Sequence, residues 1–220
     1  MKRNYQHYFN KIFQQNKFKI IFLYKIIFLY KIIFLYKINL SNVLYKMNIT
    51  SNFYYYKDYA YSKFRYYMQP YYNTSYNVSK ITDQIFISDL PSSCNIECMQ
   101  KDGITNVLCV ILGMDPLYPN LFEYKNIHIC DIENENLASY FKECVEYIDN
   151  VVKTNGKILV HCSYGISRSA SMVIAYFISK GMTYEDAYNF VKSKRNIIEP
   201  NDGFKKQLKE FYMLENKNIK

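Results

Sequence analysis

The stretch KILVHCSYGISRSASMVIAYFISKG, residues 157–181, constrains the fold more than any other part of this 220-residue chain. KILV is a short apolar run of the kind that forms a strand buried on both faces, and RSASMVIAYFIS is apolar on nearly every side, as a helix sunk in a core is. Gly181 closes that helix. The seven residues between them are small or turn-forming, apart from His161, Cys162, Tyr164 and Ile166. A buried strand that feeds a buried helix through a tight loop is the unit of a parallel α/β sheet. Ligands of such sheets settle at the carboxyl ends of the strands, where the next helix presents its N-terminus.

The flanking sequence supplies the other elements of such a domain. ITDQIFISDL alternates toward an edge strand, and PSSCNIECMQKDG gives a short helix stopped at Gly103. ITNVLCVIL is a second buried strand, and YKNIHI a third that ends at Cys130 and Asp131. Leu137, Tyr140, Phe141, Cys144, Val145, Ile148, Val151 and Val152 recur at helical spacing, which predicts an amphipathic helix capped by Asn136 and stopped at Asn155-Gly156. Thr183 and Asp186 open a further helix that carries Ala187, Phe190 and Val191 inward, and a last one runs through Phe204, Leu208 and Phe211 or Tyr212. The expectation is a three-layer α/β domain over residues 78–215, its central and mostly parallel sheet flanked by helices, with 216–220 as a tail.

The N-terminal third reads differently. Residues 20–37 are IIFLYK three times over, and ten tyrosines fall between Tyr54 and Tyr76 with few aliphatic residues among them. The tyrosine stretch lacks the aliphatic material for a packed core and the repeat is a low-complexity expansion, so residues 1–77 are expected to form a low-complexity, basic, tyrosine-rich and disordered extension. As a membrane span the repeat is poor, since Lys25 and Lys31 would each cost about 2.5–3.5 kcal/mol near the bilayer centre. Contact of residues 1–40 with a membrane surface stays open as the alternative.

The formal charge of +9 belongs to this extension. Residues 1–80 hold 13 Lys or Arg against Asp58 alone, whereas residues 81–220 hold 15 against 18 acids. No nucleic-acid module accompanies the basic stretch, so no specific nucleic-acid partner is expected. The six cysteines sit singly in apolar runs, as buried and reduced thiols do, which favours a reducing compartment, the cytoplasm or the nucleus. Cys94 and Cys98 lack a second pair at zinc spacing, and no metal or cofactor is expected.

The loop between Cys162 and Arg168 is suited to a phosphate-like dianion. Its backbone N–H groups can converge as a nest, Gly165 can relieve the strained turn, and the dipole of the helix that starts near Arg168 adds positive potential. The same field favours a negatively charged sulfur at Cys162. Arg168, folded back over the loop, can grip two phosphate oxygens with its planar fork.

These residues resemble the His-Cys-x5-Arg-Ser signature of the cysteine-dependent protein tyrosine phosphatases, in particular the dual-specificity branch. The likeness runs from about Ser79 to about Leu214 through IFISDL, GITNVLCV, YKNIHICD, LASYFKECVEYID, ILVHCSYGISRSASMVIAYFI and PNDGFKKQL, in the family's order. It implies a protein phosphatase acting through a phosphocysteine on phosphorylated protein substrates. Cys162 would be the nucleophile, Arg168 the phosphate clamp, and Asp131, 31 residues before the cysteine, the general acid, with Glu133, Glu135 or Asp115 as its alternatives. Ser169 would assist the thiolate as leaving group, Ser163, Tyr164, Gly165, Ile166 and Ser167 would line the phosphate site, and His161 would support the loop from below. Ser163 and Tyr164 depart from the family's pattern, in which a small residue, often alanine, follows one variable residue. A tyrosine at the rim can restrict the pocket or stack on a phosphotyrosine ring.

Overall fold

The computed structural model describes residues 76–217. The IIFLYK repeat and the extension that carries it, residues 1–75, lie outside the described residues, as does the end of the tail, 218–220. Five strands form one sheet: β1 (Val78–Lys80), β2 (Ile85–Ser88), β3 (Asn106–Val110), β4 (Glu123–Ile127) and β5 (Ile158–His161). They lie in the order β1-β2-β5-β3-β4. β2, β5, β3 and β4 run parallel, and β1 pairs antiparallel with β2 through Val78 opposite Ser88. The strand that leads into Cys162 is therefore central, as the apolar run KILV predicts.

Helices cover both faces, unequally. The helices are α1 (Ile96–Lys101), α2 (Phe141–Lys153), α3 (Arg168–Ser179), α4 (Tyr184–Lys194) and α5 (Asp202–Lys217). Alternate strand residues point to opposite faces. Ile85, Ile87, Leu108, Val110, Ile158 and Val160 join the main core with residues of α2, α3, α4 and α5, while Phe86, Val107 and Leu159 pack on the other side with Met99 of α1, Ile104 and Phe122. Full burial contributes about 1.5–3 kcal/mol for each such side chain. With both faces covered, β2, β3 and β5 are buried at every position, which is why their sequences run apolar without alternation.

Three local expectations need correction. IFIS is not the edge strand: residues 78–80 cover it, so β2 lies inside the sheet and VSK takes the edge. Asn136 caps a 3-10 turn, Leu137–Tyr140, rather than the amphipathic helix itself, accepting from the Ser139 N–H at 3.2 Å. The α-helix proper begins at Phe141, while its left-handed stop falls on Asn155 (φ 59°), within the expected Asn155-Gly156 pair. Finally, the stretch read as linker to residue 77 ends sooner. Tyr76 donates to Asp102 Oδ2 at 2.8 Å and packs against the cluster that holds Met99 and Ile104, and the Asn77 N–H donates to Ser92 Oγ at 2.8 Å.

Candidate active site

The loop from Cys162 to Ser167 leaves the carboxyl end of β5 and turns directly into α3, whose first residue is Arg168. Cys162 is 1 % exposed, with its sulfur facing into the turn. The Gly165 N–H donates to Sγ at 3.2 Å and the Ser169 hydroxyl at 3.3 Å. Gly165 makes this possible with φ +69°, a conformation that costs other residues dearly. A Cβ at that position would also stand 2.6 Å from the Ser88 carbonyl oxygen, so the neighbouring strand end excludes any side chain there.

The loop's carbonyls are bonded outward. Ser163 O accepts from the Leu90 N–H at 3.4 Å and Ile166 O from the Glu199 N–H at 2.9 Å, and Gly165 O accepts from Nε of Arg195 at 2.8 Å. Because a trans peptide points its C=O and N–H in opposite directions, the N–H groups of Tyr164, Ile166 and Ser167 turn to the inner side of the loop. Converging N–H groups of this kind suit an anion.

Arg168 is 1 % exposed and heads the largest of the fully buried side chains. Its Nη1 donates to the Ile129 carbonyl at 3.0 Å, its Nη2 to Ser163 Oγ at 3.1 Å, and its Nε faces Asp131 Oδ2 at 3.5 Å. The guanidinium thus bridges the loop after β5 and the segment after β4, and Asp131 is brought to the same site with a side chain 27 % exposed. Oδ1 of Asp131 accepts from the Ser167 hydroxyl at 2.7 Å and from Asn201 Nδ2 at 2.9 Å.

His161 is wholly buried beneath the loop, and desolvation pulls its imidazole down to about 4, with the nearby Arg168 charge acting in the same direction and the Cys162 backbone partly opposing. It is neutral at physiological pH. Cys109 of β3 shares an apolar cluster with Cys94 and Cys162, and burial pushes its thiol up to about 12, so it is a protonated packing residue. Tyr164 stands at the rim, 44 % exposed, while Ser163 and Ser167 are buried. Among the described residues no three His, Cys, Asp or Glu side chains gather as a metal centre.

Two residues that hold Asp131 in place carry no periodicity of their own. Asn201 reaches Asp131 with Nδ2 while its Oδ1 accepts from the Phe204 N–H at 2.9 Å, and its own N–H donates to Ser167 Oγ at 3.2 Å. Gly203 lets α5 approach the loop after Asp131 so closely that a Cβ would lie 2.0 Å from the Glu133 carbonyl oxygen. The sequence does carry a sign of both in the turn-forming PND-G of PNDGF, but only the fold shows what that turn touches.

Comparison with known proteins gives a consistent result. Residues 85–213 match the family model described as dual specificity phosphatase, catalytic domain. The chain is 38 % identical over 136 residues to dual specificity protein phosphatase 1B of Arabidopsis thaliana, covering 61 % of this chain and 81 % of that protein. It is 40 % identical over 134 residues to human protein phosphatase Slingshot homolog 1, covering 60 % of this chain but only 13 % of that much longer protein. Among solved structures, the human tyrosine phosphatase-like serine/threonine/tyrosine-interacting protein superposes with a TM-score of 0.61 at 34 % identity, over 64 % of this chain and 98 % of that one.

Proposed function

The chain belongs to the family of dual specificity phosphatase catalytic domains, and we propose that it hydrolyses phosphotyrosine and phosphoserine or phosphothreonine in protein substrates through a phosphocysteine intermediate. The observation that carries this reading is the Cys162 sulfur held by the Gly165 N–H and the Ser169 hydroxyl inside a loop whose carbonyls are bonded outward.

In the first half-reaction Sγ of Cys162 attacks phosphorus in line. The S–P bond forms as the P–O bond to the substrate breaks, and the electron pair goes to the departing oxygen, which takes a proton from the Asp131 carboxyl. The loop N–H groups and the Arg168 fork stabilise the equatorial oxygens, where negative charge is spread in the transition state. In the second half-reaction water attacks the phosphocysteine, Asp131 accepts a proton from it, and the Cys162 thiolate leaves with the Ser169 hydroxyl donating to it. His161, neutral and buried below, acts on the shape of the loop and not on the proton count.

Specificity for protein phosphomonoesters is supported by the loop itself, since Ser163, Tyr164, Ile166 and Ser167 add no positive charge for a polyphosphorylated ligand. A second reading is a phosphoprotein-binding module without turnover, favoured by the name of the human neighbour, an interacting protein. Against it stand Cys162 and Arg168, both present and joined to the same site. We place the activity in the cytoplasm or nucleus, where a reduced Cys162 persists. Contact of residues 1–40 with a membrane surface would show as pelleting with vesicles by the full chain and not by a version starting at residue 76.

Turnover of p-nitrophenyl phosphate and of phosphotyrosine and phosphoserine peptides tests the proposal. Cys162→Ser should abolish all three, and Asp131→Ala should slow the phosphoserine peptide most, because its alkoxide leaving group depends most on a proton. Full turnover by Cys162→Ser, or binding of phosphopeptides with no turnover by the parent, would overturn it. Hydrolysis of phosphoinositides in place of the peptides would move the substrate class.

A further inference from the structure

Arg195 is 2 % exposed, and no carboxylate among the described residues forms an ion pair with it. A guanidinium taken out of water without a carboxylate in contact is costly, so its hydrogen bonds have to hold it. They do so in two directions. Nε donates to the Gly165 carbonyl at 2.8 Å, while Nη1 donates to Asn77 Oδ1 and to Ser79 Oγ, each at 3.1 Å, and more weakly to the Asn77 carbonyl at 3.4 Å. Nη2 has no hydrogen-bond partner among the described residues, and it lies against Gly165, 2.7 Å from where a Cβ would be.

We propose that Arg195 is a positioning residue for the phosphate loop, fastening the Gly165 carbonyl to the first residues of the domain, Asn77 and Ser79, and so aiming the Ile166 N–H at the substrate's phosphate. The peptide that joins Gly165 to Ile166 is planar, so holding its oxygen outward turns its N–H inward. Gly165 in the left-handed region has no side chain to lock its own rotation, and the carbonyl bond is what fixes this peptide. Its partner is a cation, which also adds positive potential behind the loop. Asp89 and the Cys162 sulfur are the groups whose negative charge favours the Arg195 guanidinium, against a desolvation that lowers its affinity for the proton. The other outward carbonyls, at Ser163 and Ile166, are held by backbone N–H groups. Gly165 therefore depends on one side chain, supplied by the residue that ends α4.

The inference rests on the phosphatase reading for its kinetic consequences but not for its binding ones. It is tested by measuring tungstate binding calorimetrically, kcat and KM on p-nitrophenyl phosphate, and Tm, in the full chain carrying Arg195→Met, Arg195→Lys or the pair Asn77→Ala with Ser79→Ala. Arg195→Met should weaken tungstate binding and lower kcat/KM by about tenfold or more, the loss of one charge-assisted bond to a buried carbonyl. Arg195→Lys should not rescue either, because one ammonium cannot reach Gly165 and the Asn77–Ser79 pair at once. The double variant keeps Arg195 but frees its far end, and should weaken tungstate binding by about threefold. A role in stability alone would lower Tm and leave tungstate affinity and kcat of the folded enzyme unchanged, and that result overturns the proposal. Should Arg195→Met fail to fold, the double variant decides, with parent-like affinity as the overturning result. A parent enzyme that turns over no phosphate ester, yet loses tungstate binding in these variants, would sink the phosphatase reading and leave Arg195 in its place.

Discussion

The hydroxyl of Ser167 donates to Oδ1 of Asp131 at 2.7 Å, joining a residue of the phosphate loop to one 36 positions earlier. Asn201 Nδ2 shares the same oxygen at 2.9 Å, while Oδ2 faces Arg168 Nε at 3.5 Å. The two carboxylate oxygens therefore have different surroundings, and the placement of the acid is set jointly by the cysteine loop and by the turn that opens α5.

Asn201→Ala removes both the bond to Asp131 and the bond to the Phe204 N–H. The kcat for a phosphoserine peptide should fall about tenfold, with a smaller fall for p-nitrophenyl phosphate, and stability should drop by about 1 kcal/mol through the lost cap. Steady-state kinetics on the two substrates check this. An equal loss on both would mean that Asn201 does not act through the acid.

Gly203→Ala places a methyl group where the Glu133 carbonyl oxygen now lies 2.0 Å away, and backbone cannot yield as a flexible side chain can. Either α5 or the segment carrying Asp131 must shift. A displacement of about 1 Å at the acid is enough to cost about a hundredfold in kcat on the phosphoserine peptide. Tungstate binding, which needs no acid, should stay near that of the parent, and its collapse would instead indicate general misfolding.

Ser169→Ala takes away the hydroxyl that donates to the Cys162 sulfur at 3.3 Å. Release of the thiolate in the second half-reaction should slow by about tenfold to a hundredfold, while phosphorylation of the cysteine changes less. Rapid mixing with p-nitrophenyl phosphate should then give a burst equal to the enzyme concentration. A uniform slowing without a burst would remove Ser169 from that step.

His161 supplies a pH dependence whose sign is fixed by its burial. The imidazole is held at about 4 in the folded protein, against about 6.5 in the unfolded chain. Below about pH 6.5 the unfolded chain takes up a proton that the folded one refuses, so stability falls as pH drops and levels off below about 4. The loss approaches about 3 kcal/mol, at about 1.36 kcal/mol for each pH unit between the two values. Urea unfolding at a series of pH values, on the parent and on His161→Gln, should show a flatter curve for the variant. Parallel curves would mean that His161 titrates alike in both states.

The make-up of the loop was legible before any fold was known, and so were the central strand, the buried helix and the amphipathic one. Each is a local matter. Strand burial on two faces writes an unbroken apolar run, a helix face writes a 3.6-residue period, and a turn writes glycine where φ must be positive. Cys162, Gly165, Arg168 and Ser169 lie within eight consecutive residues, and Asp131 lies four residues past the end of β4. The identity of the edge strand was not legible, because whether IFIS is covered depends on three residues, Val78–Lys80, that carry no strand pattern of their own. Asn201, Gly203 and Arg195 escaped for the same reason. Locally they are a helix cap, a residue of a helix's first turn and a helix end, and their second attachments span 70, 70 and 30 residues, to Asp131, Glu133 and Gly165. By itself the sequence determined which groups stand together in the cysteine loop, since that follows from residue type and short spacing. Only the tertiary structure decided what holds those groups still, since a hydrogen bond between distant segments leaves no periodic trace in either of them.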